Sequence, residues 1–254
     1  MAKINTKTKK IQNAVDNNEI KTALNSYFIK ANALREENEF KQASTNYLNA
    51  ILIDRNDAEA YYGLGVCYKH LKDYPKAIKY LHKASDLKKD FFEAYYELGI
   101  CHQLEKIPCG AIKNFVRAIQ INPKNNEAIL QLGISHEMCE EVDLALMIYQ
   151  KLIHNSPKFI KGYEHKSTLL MKLGRYKEAC SALNDITKIN PEYHNAYLGM
   201  GVCFEKMNKK HFAQRYYKKF LTKKPFSHKA EFVQSRLHKL KNLSISNSNK
   251  LVIV

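Results

Sequence analysis

The sequence predicts an all-α fold, a right-handed superhelical solenoid of six helix-turn-helix repeats followed by a C-terminal capping helix. Two observations predict it. The sequence resembles itself at a step of 34 residues with no insertion. Its 254 residues include only nine Gly and six Pro, which disfavours a turn-rich β fold. One pair of helices cannot bury its own apolar face, so successive pairs are expected to stack.

Three similar segments reveal the period. They begin at Ala60, Ala94 and Ala196, each continues with Tyr, and each reaches a Gly and a Cys at the same offsets. On the same step, the first half of every repeat has a small residue: Ala31, Gly65, Gly99, Gly133, Ser167 and Gly201. The second half has an alanine followed four residues later by a large residue: Ala43 and Tyr47, Ala77 and Leu81, Ala111 and Phe115, Ala145 and Tyr149, Ala179 and Leu183, Ala213 and Tyr217.

Each repeat is predicted to form two helices, because apolar residues recur at three- and four-residue spacing on both sides of a tight turn such as 172–176. The small residue and the alanine let the two backbones approach closely, and the large residue fills the space beside them. Prolines 123, 157, 191 and 225 end four of the repeats, since the residue before proline is pushed out of the α region.

This pattern resembles the tetratricopeptide repeat family, and the resemblance covers Leu24 to Ser227. It implies that the first helix of each pair lines a concave face and that the protein binds other proteins without catalysing a reaction. Three positions depart from the family pattern: Arg55 and Lys89 replace the usual proline, and Leu152 replaces a small residue.

We predict four segments along the chain. Residues 1–23 form a polar, partly helical N-terminal segment, residues 24–227 form the repeats, residues 228–242 form the capping helix, and residues 243–254 form a flexible tail. The six repeats are 24–57, 58–91, 92–125, 126–159, 160–193 and 194–227.

No motif indicates an enzyme, a cofactor or a metal site. The pairs Gly63/Gly65 and Gly199/Gly201 form G-x-G, but both fall inside predicted helices, whereas a phosphate-binding loop follows a strand. We therefore assign these glycines to helix packing. The ten His and six Cys form neither H-E-x-x-H nor C-x-x-C. We predict a protein without catalytic residues, cofactor or metal.

The chain start and the cysteines bear on location. Residues 1–10 are charged and no apolar signal region follows them. No apolar run approaches the roughly 20 residues that cross a bilayer. The cysteine spacing fits a reduced compartment. We therefore expect a cytoplasmic protein without a transmembrane segment.

The first helices of repeats two to four carry the predicted partner-binding groove. At the fifth position of each repeat stand Tyr62, Tyr96 and Leu130, and at the ninth stand Val66, Ile100 and Ile134. The family usually has Asn at the ninth position, so apolar residues there are distinctive. Acidic residues flank them: Glu59, Glu93, Glu97 and Glu127. Such a groove suits a protein or peptide segment with basic residues beside apolar ones; a crowded, unoccupied wall is the alternative.

The second predicted surface is basic. The chain has a formal net charge of +16, and residues 206–241 contain twelve Lys or Arg against the single acidic residue Glu231. We define the basic patch as Lys206, Lys209, Lys210, Arg215, Lys218, Lys219, Lys223 and Lys224. It can attract an acidic protein, nucleic acid or an anionic membrane, or simply be a solvated end of the array.

The predicted function is that of an adaptor or scaffold that holds a partner segment in the groove. The alternative is a nucleic-acid- or anionic-surface-associated factor that acts through the basic patch. Helical-repeat proteins that bind RNA place polar, base-reading side chains on each inner helix. Here those positions are apolar or acidic, which disfavours nucleic acid.

Overall fold

The computed structural model describes residues 22–250, with side chains as far as residue 241. These residues form thirteen helices and no strand, which confirms the all-α fold of consecutive helix pairs. Residues 1–21 and 251–254 lie outside the described residues. The helices are α1 (22–36), α2 (Phe40–Ile53), α3 (Ala58–His70), α4 (Tyr74–Leu87), α5 (Phe92–Leu104), α6 (Pro108–Ile121), α7 (Asn126–Met138), α8 (Val142–Asn155), α9 (Ile160–Lys172), α10 (Tyr176–Ile189), α11 (His194–Lys206), α12 (Lys210–Lys223) and α13 (Ala230–Lys250).

The turn inside each helix pair has one repeated geometry. Residues with a left-handed φ occur at the same repeat position: Asn38, Lys72, Lys106, Glu140, Gly174 and Asn208. The next amide N–H then donates to a carbonyl five residues earlier, as in Ile107 to His102 at 2.8 Å and Lys209 to Phe204 at 2.9 Å. These bonds satisfy the last carbonyls of the first helix, so the turn forms even where no glycine is present.

The second helices end at one repeat position with or without proline. Helix α6 ends two residues before Pro123, and α10 ends two residues before Pro191. Helices α2 and α4 end at the corresponding residues although Arg55 and Lys89 replace the proline. Proline is therefore not required for the stop.

The last helix is longer than the sequence pattern predicts. We predicted a cap over 228–242 and a flexible tail over 243–254, but α13 continues to Lys250. The sequence has no Gly after residue 201 and no Pro after residue 225, so no helix-breaking residue interrupts α13.

The described residues fall into two compact units, divided between Glu140 and Glu141. In the first unit, α3 packs on α4 and α5 packs on α6; in the second, α9 packs on α10 and α11 packs on α12. The large residue of each second helix is buried: Tyr47, Leu81, Phe115, Tyr149, Leu183 and Tyr217.

The glycines of the first helices make room for these large residues. A Cβ on Gly99 would lie 2.6 Å from the Phe115 ring, and one on Gly65 would lie 2.6 Å from Leu81. Gly63 instead faces Tyr47 of the preceding repeat. The two glycines of this G-x-G pair thus pack against two different second helices, α2 for Gly63 and α4 for Gly65. This agrees with the packing role predicted for the pair.

Two glycine-to-alanine changes should have opposite effects on stability. Gly99→Ala places a methyl group against a buried ring and should lower the free energy of unfolding by about 1–3 kcal/mol. Gly162 stands where four other repeats have Ala, and its Cβ would meet only side-chain atoms at 3.3–3.5 Å. Gly162→Ala should raise the free energy of unfolding by about 0.5–1 kcal/mol, because alanine favours the helix. Chemical denaturation measures both, and a Gly99→Ala protein as stable as wild type would contradict the packing assignment.

Candidate functional site

The candidate site lies on α3, α5 and α7, the first helices of repeats two to four. Lys69 of α3 donates to Glu97 of α5 at 2.7 Å. The Gln103 side chain of α5 donates to the Gln131 carbonyl and the Ser135 hydroxyl of α7, at 3.1 and 2.9 Å. In both cases the side chain of the twelfth residue of one repeat donates a hydrogen bond to the sixth residue of the next repeat. We call the side of these helices with the second, fifth, ninth and twelfth repeat positions the first-helix face.

The structure places four of the six predicted apolar groove residues at the surface of this face. Tyr62, Tyr96, Ile100 and Ile134 are partly exposed. Val66 is only 8% exposed and Leu130 only 1% exposed. Both therefore offer little surface to a partner in this structure, and their part in a binding groove stays a prediction.

Contacts at the fifth and ninth positions of other repeats show where these positions reach. Asn32, the ninth residue of repeat one, accepts a 2.6 Å hydrogen bond from the Tyr47 hydroxyl, so this position reaches toward the second helix of its own repeat. Repeat two has Leu81 in place of that tyrosine, and an apolar Val66 then fits. The fifth-position Tyr62 packs beside Phe91 at a centroid distance of 5.1 Å, so this position reaches the end of its own repeat.

The two tyrosines of the first-helix face are held by other rings. Tyr96 lies 5.9 Å from Phe92 and 5.8 Å from Phe115 between ring centroids. Burial raises the pKa of Tyr62 and of Tyr96 to about 12. Both hydroxyls are therefore neutral at physiological pH and can donate a hydrogen bond beside an apolar surface.

The acidic flank differs from the predicted row of carboxylates. Glu97 is paired with Lys69, and both side chains are more than four-fifths buried. Glu59 forms an ion pair with Lys88 at 3.0 Å. Glu93 is exposed and has no ion-pair partner among the residues that the structure describes. The face is consequently less acidic than the sequence suggested. The opposite charges of Lys69 and Glu97, 28 residues apart in the sequence, are the feature from which the buried pair could have been predicted.

The basic patch lies on α11, α12 and the turns that follow them, within the second unit. Its side chains are exposed except for Lys210 and Lys223, which are partly exposed. Lys223 forms an ion pair with Glu192. The Lys219 ammonium lies 5.5 Å from the Tyr197 ring centroid and 5.7 Å from that of Tyr216.

Sequence comparison identifies the repeat. A model described as TPR repeat matches residues 31–72, and models described as tetratricopeptide repeat match 58–91, 127–158 and 160–193. Together the matches cover half of the chain.

The chain belongs to the tetratricopeptide repeat family.

Arrays of such repeats are protein-interaction scaffolds. No curated protein matches the sequence.

Solved tetratricopeptide repeat structures share the fold. YrrB, described as a TPR protein with an unusual peptide-binding site, is 20% identical with a TM-score of 0.58, covering 74% of this chain and 97% of its own. PilF of Pseudomonas aeruginosa is 16% identical with a TM-score of 0.65, covering 86% and 99%. Part of a TPR repeat-containing protein from Cytophaga hutchinsonii is 18% identical with a TM-score of 0.70, covering 78% and 79%. At these identities the likeness shows the fold alone.

Other chemical groups of the tetratricopeptide repeats are dispersed. Within residues 22–250, no three His, Cys, Asp or Glu residues gather into a metal site, and no helix is long and apolar enough to cross a membrane. Two cysteines of neighbouring repeats do meet: a hydrogen bond from Cys203 lowers the pKa of the Cys180 thiol. Their separation of 23 residues matches no recognised cysteine motif, so sequence reasoning missed this contact.

A histidine pair in the second and third tetratricopeptide repeats is sensitive to protonation. The rings of His82 and His102 lie 6.3 Å apart, and His102 Nδ1 is buried with no hydrogen-bond partner among the described residues. A Cβ on Gly110 would lie 2.9 Å from that nitrogen, so α6 closes over the ring. Burial lowers the pKa of both histidines, and the fold therefore favours their neutral forms.

This pair predicts a loss of stability in mild acid. Because the folded pKa lies below the unfolded value of about 6.5, the stability is fully present above pH 6.5 and is lost as the pH falls through the folded pKa. His102→Phe, which matches Phe204 in repeat six, should reduce the fall in the free energy of unfolding between pH 7.5 and 5.5, measured by denaturant titration. His154→Gln, at an exposed position of α8, should leave that fall unchanged. Equal falls in wild type and His102→Phe would contradict the assignment.

Proposed function

We propose that this protein is a non-catalytic adaptor that binds a segment of a partner protein on its first-helix face. The observation that carries the proposal is the row of partly exposed apolar side chains on three adjacent helices: Tyr62, Tyr96, Ile100 and Ile134. Exposed apolar side chains grouped on one side of a domain are typical of interaction surfaces.

The support beneath this row is rigid, which favours binding. Leu98 and Cys101 of α5 and Phe115 of α6 are fully buried. The hydrogen bonds of Lys69 and Gln103 join α5 to its two neighbours. A preorganised surface loses little conformational entropy when a partner docks, so modest apolar contacts suffice for specific binding.

The partner segment that fits has apolar residues with a basic residue beside them. Its apolar side chains would cover Ile100 and Ile134, and its cation would pair with Glu93. Backbone or side-chain acceptors of the segment would receive hydrogen bonds from the neutral Tyr62 and Tyr96 hydroxyls. An amphipathic helix and an extended strand both satisfy this pattern.

Peptide selection on the purified protein tests the proposal. Displayed peptides selected on wild type should be enriched in apolar residues beside Lys or Arg. Ile100→Ala removes an apolar anchor without introducing a polar group and should weaken the selected peptides by about tenfold, since apolar contacts of this size contribute about 1–2 kcal/mol. Fluorescence anisotropy measures the change.

Val116→Ala is the matched control, because Val116 is an exposed apolar residue of α6, outside the first-helix face. It should leave peptide affinity within about twofold of wild type. The proposal fails if the selected peptides bind wild type and Ile100→Ala equally while both variants keep the wild-type helix content. That result would favour the crowded, unoccupied wall.

A further inference from the structure

One side of α12 forms a cationic trough that shares no residue with the first-helix face. Six side chains at three- and four-residue spacing line a cavity of about 350 Å³: His211, Gln214, Arg215, Lys218, Lys219 and Thr222. No acidic residue is among the lining residues that the structure describes. We call this surface the basic trough.

The cations of the basic trough are not neutralised within the described part of the chain. Arg215, Lys218 and Lys219 are exposed, and none of them forms an ion pair with a described residue. Lys219 is held over the rings of Tyr197 and Tyr216, at 5.5 and 5.7 Å. Aromatic rings attract a cation without cancelling its charge, so Lys219 is positioned and still able to bind an anion.

The nearby rings disfavour nucleic acid as the ligand. Proteins that bind single strands stack bases on exposed ring faces. Here Tyr216 lies parallel to Phe204 at 5.3 Å and also has Lys219 over its ring. Phe204 has Phe212 as a second neighbour at 5.2 Å. These rings are already engaged by the chain, and the cavity has room for a few side chains only.

We propose that the basic trough docks an acidic segment of another protein, whose Asp and Glu side chains pair with Arg215, Lys218 and Lys219. Lining residues three or four positions apart on α12 are about 5 Å apart along the helix axis, because the helix rises about 1.5 Å per residue. The Cβ atoms of Glu residues at positions i and i+4 of a partner helix are about 5–6 Å apart, which matches this spacing. The Arg215 guanidinium can hold one carboxylate through two hydrogen bonds. The proposal is independent of the first-helix face.

A labelled helical peptide with Glu at positions i, i+3, i+4 and i+7 tests the proposal by fluorescence anisotropy. Wild type should bind it, and the same peptide with Gln for Glu should not bind. The triple variant Arg215→Glu, Lys218→Glu, Lys219→Glu should weaken binding of the Glu peptide by at least about tenfold, because it replaces attraction with repulsion. A peptide with Lys in place of Glu should bind the triple variant and not wild type, which a misfolded variant could not do.

Lys83→Glu, Lys113→Glu, Lys124→Glu is the matched control, since it changes the net charge equally at three exposed positions outside the trough. It should keep Glu-peptide affinity within about twofold of wild type. Equal losses in the two triple variants would overturn the proposal in favour of nonspecific attraction. Single-stranded RNA, or vesicles with phosphatidylserine, that bind more tightly than the peptide and lose binding in the trough variant would overturn it in favour of those ligands.

Discussion

The close approach of two helices at a small residue is the constraint on which the rest of this structure depends. In repeat three, Gly99 of α5 lies against the ring of Phe115 on α6, with no space for a methyl group between them. This contact fixes the rotation of α5 about its own axis. The fifth and twelfth residues lie three and four positions from the eighth, on the same side of the helix, so Tyr96 also contacts Phe115. The second and ninth residues, Glu93 and Ile100, are turned further from the second helix and are exposed and partly exposed. The orientation of the first-helix face thus follows from the packing of the same helix against its second helix.

Contacts between repeats determine which residues of that face remain available. The pair Lys69–Glu97 joins α3 to α5, and the hydrogen bonds of Gln103 join α5 to α7. They also remove one carboxylate from the face. What remains is a row of partly exposed apolar side chains beside the exposed Glu59 and Glu93. The second unit differs, because its exposed α12 side is rich in cations held beside aromatic rings. The same repeat architecture therefore carries two surfaces of different chemistry, the first-helix face and the basic trough.

Most of the fold could be predicted from the sequence, because its determinants recur at a fixed step. The small residue, the alanine and the large residue of each repeat specify the helix pair, and the helix bounds follow the same step. The end of α13 could not be predicted, since no Gly or Pro follows to mark it. The candidate site was predicted less well. Periodicity indicates which side of a helix a residue occupies, but not whether its neighbours cover it, as they do at Leu130.

The pairing of Asn32 with Tyr47 shows how the second helix acts on the ninth position. Val66 and Ile100 belong to repeats whose second helix has Leu81 or Phe115 in place of that tyrosine. A tyrosine does not by itself require Asn, because repeat six combines Val202 with Tyr217, whose hydroxyl donates to Glu205. An apolar ninth residue is therefore partly explained by packing, and only its remaining exposure indicates a binding role. That exposure separates Ile100 from the buried Val66.

The central claim is that partners contact the first-helix face, and site-specific photo-crosslinking tests it most directly. A photoreactive phenylalanine analogue replaces Ile100 on α5 in one protein and Val116, an exposed residue of α6, in another. Both proteins are irradiated with the peptides selected on wild type. Our account predicts a covalent adduct at position 100 and none at position 116. Adducts at position 116 without any at position 100 would contradict it and place the binding surface on the second helices.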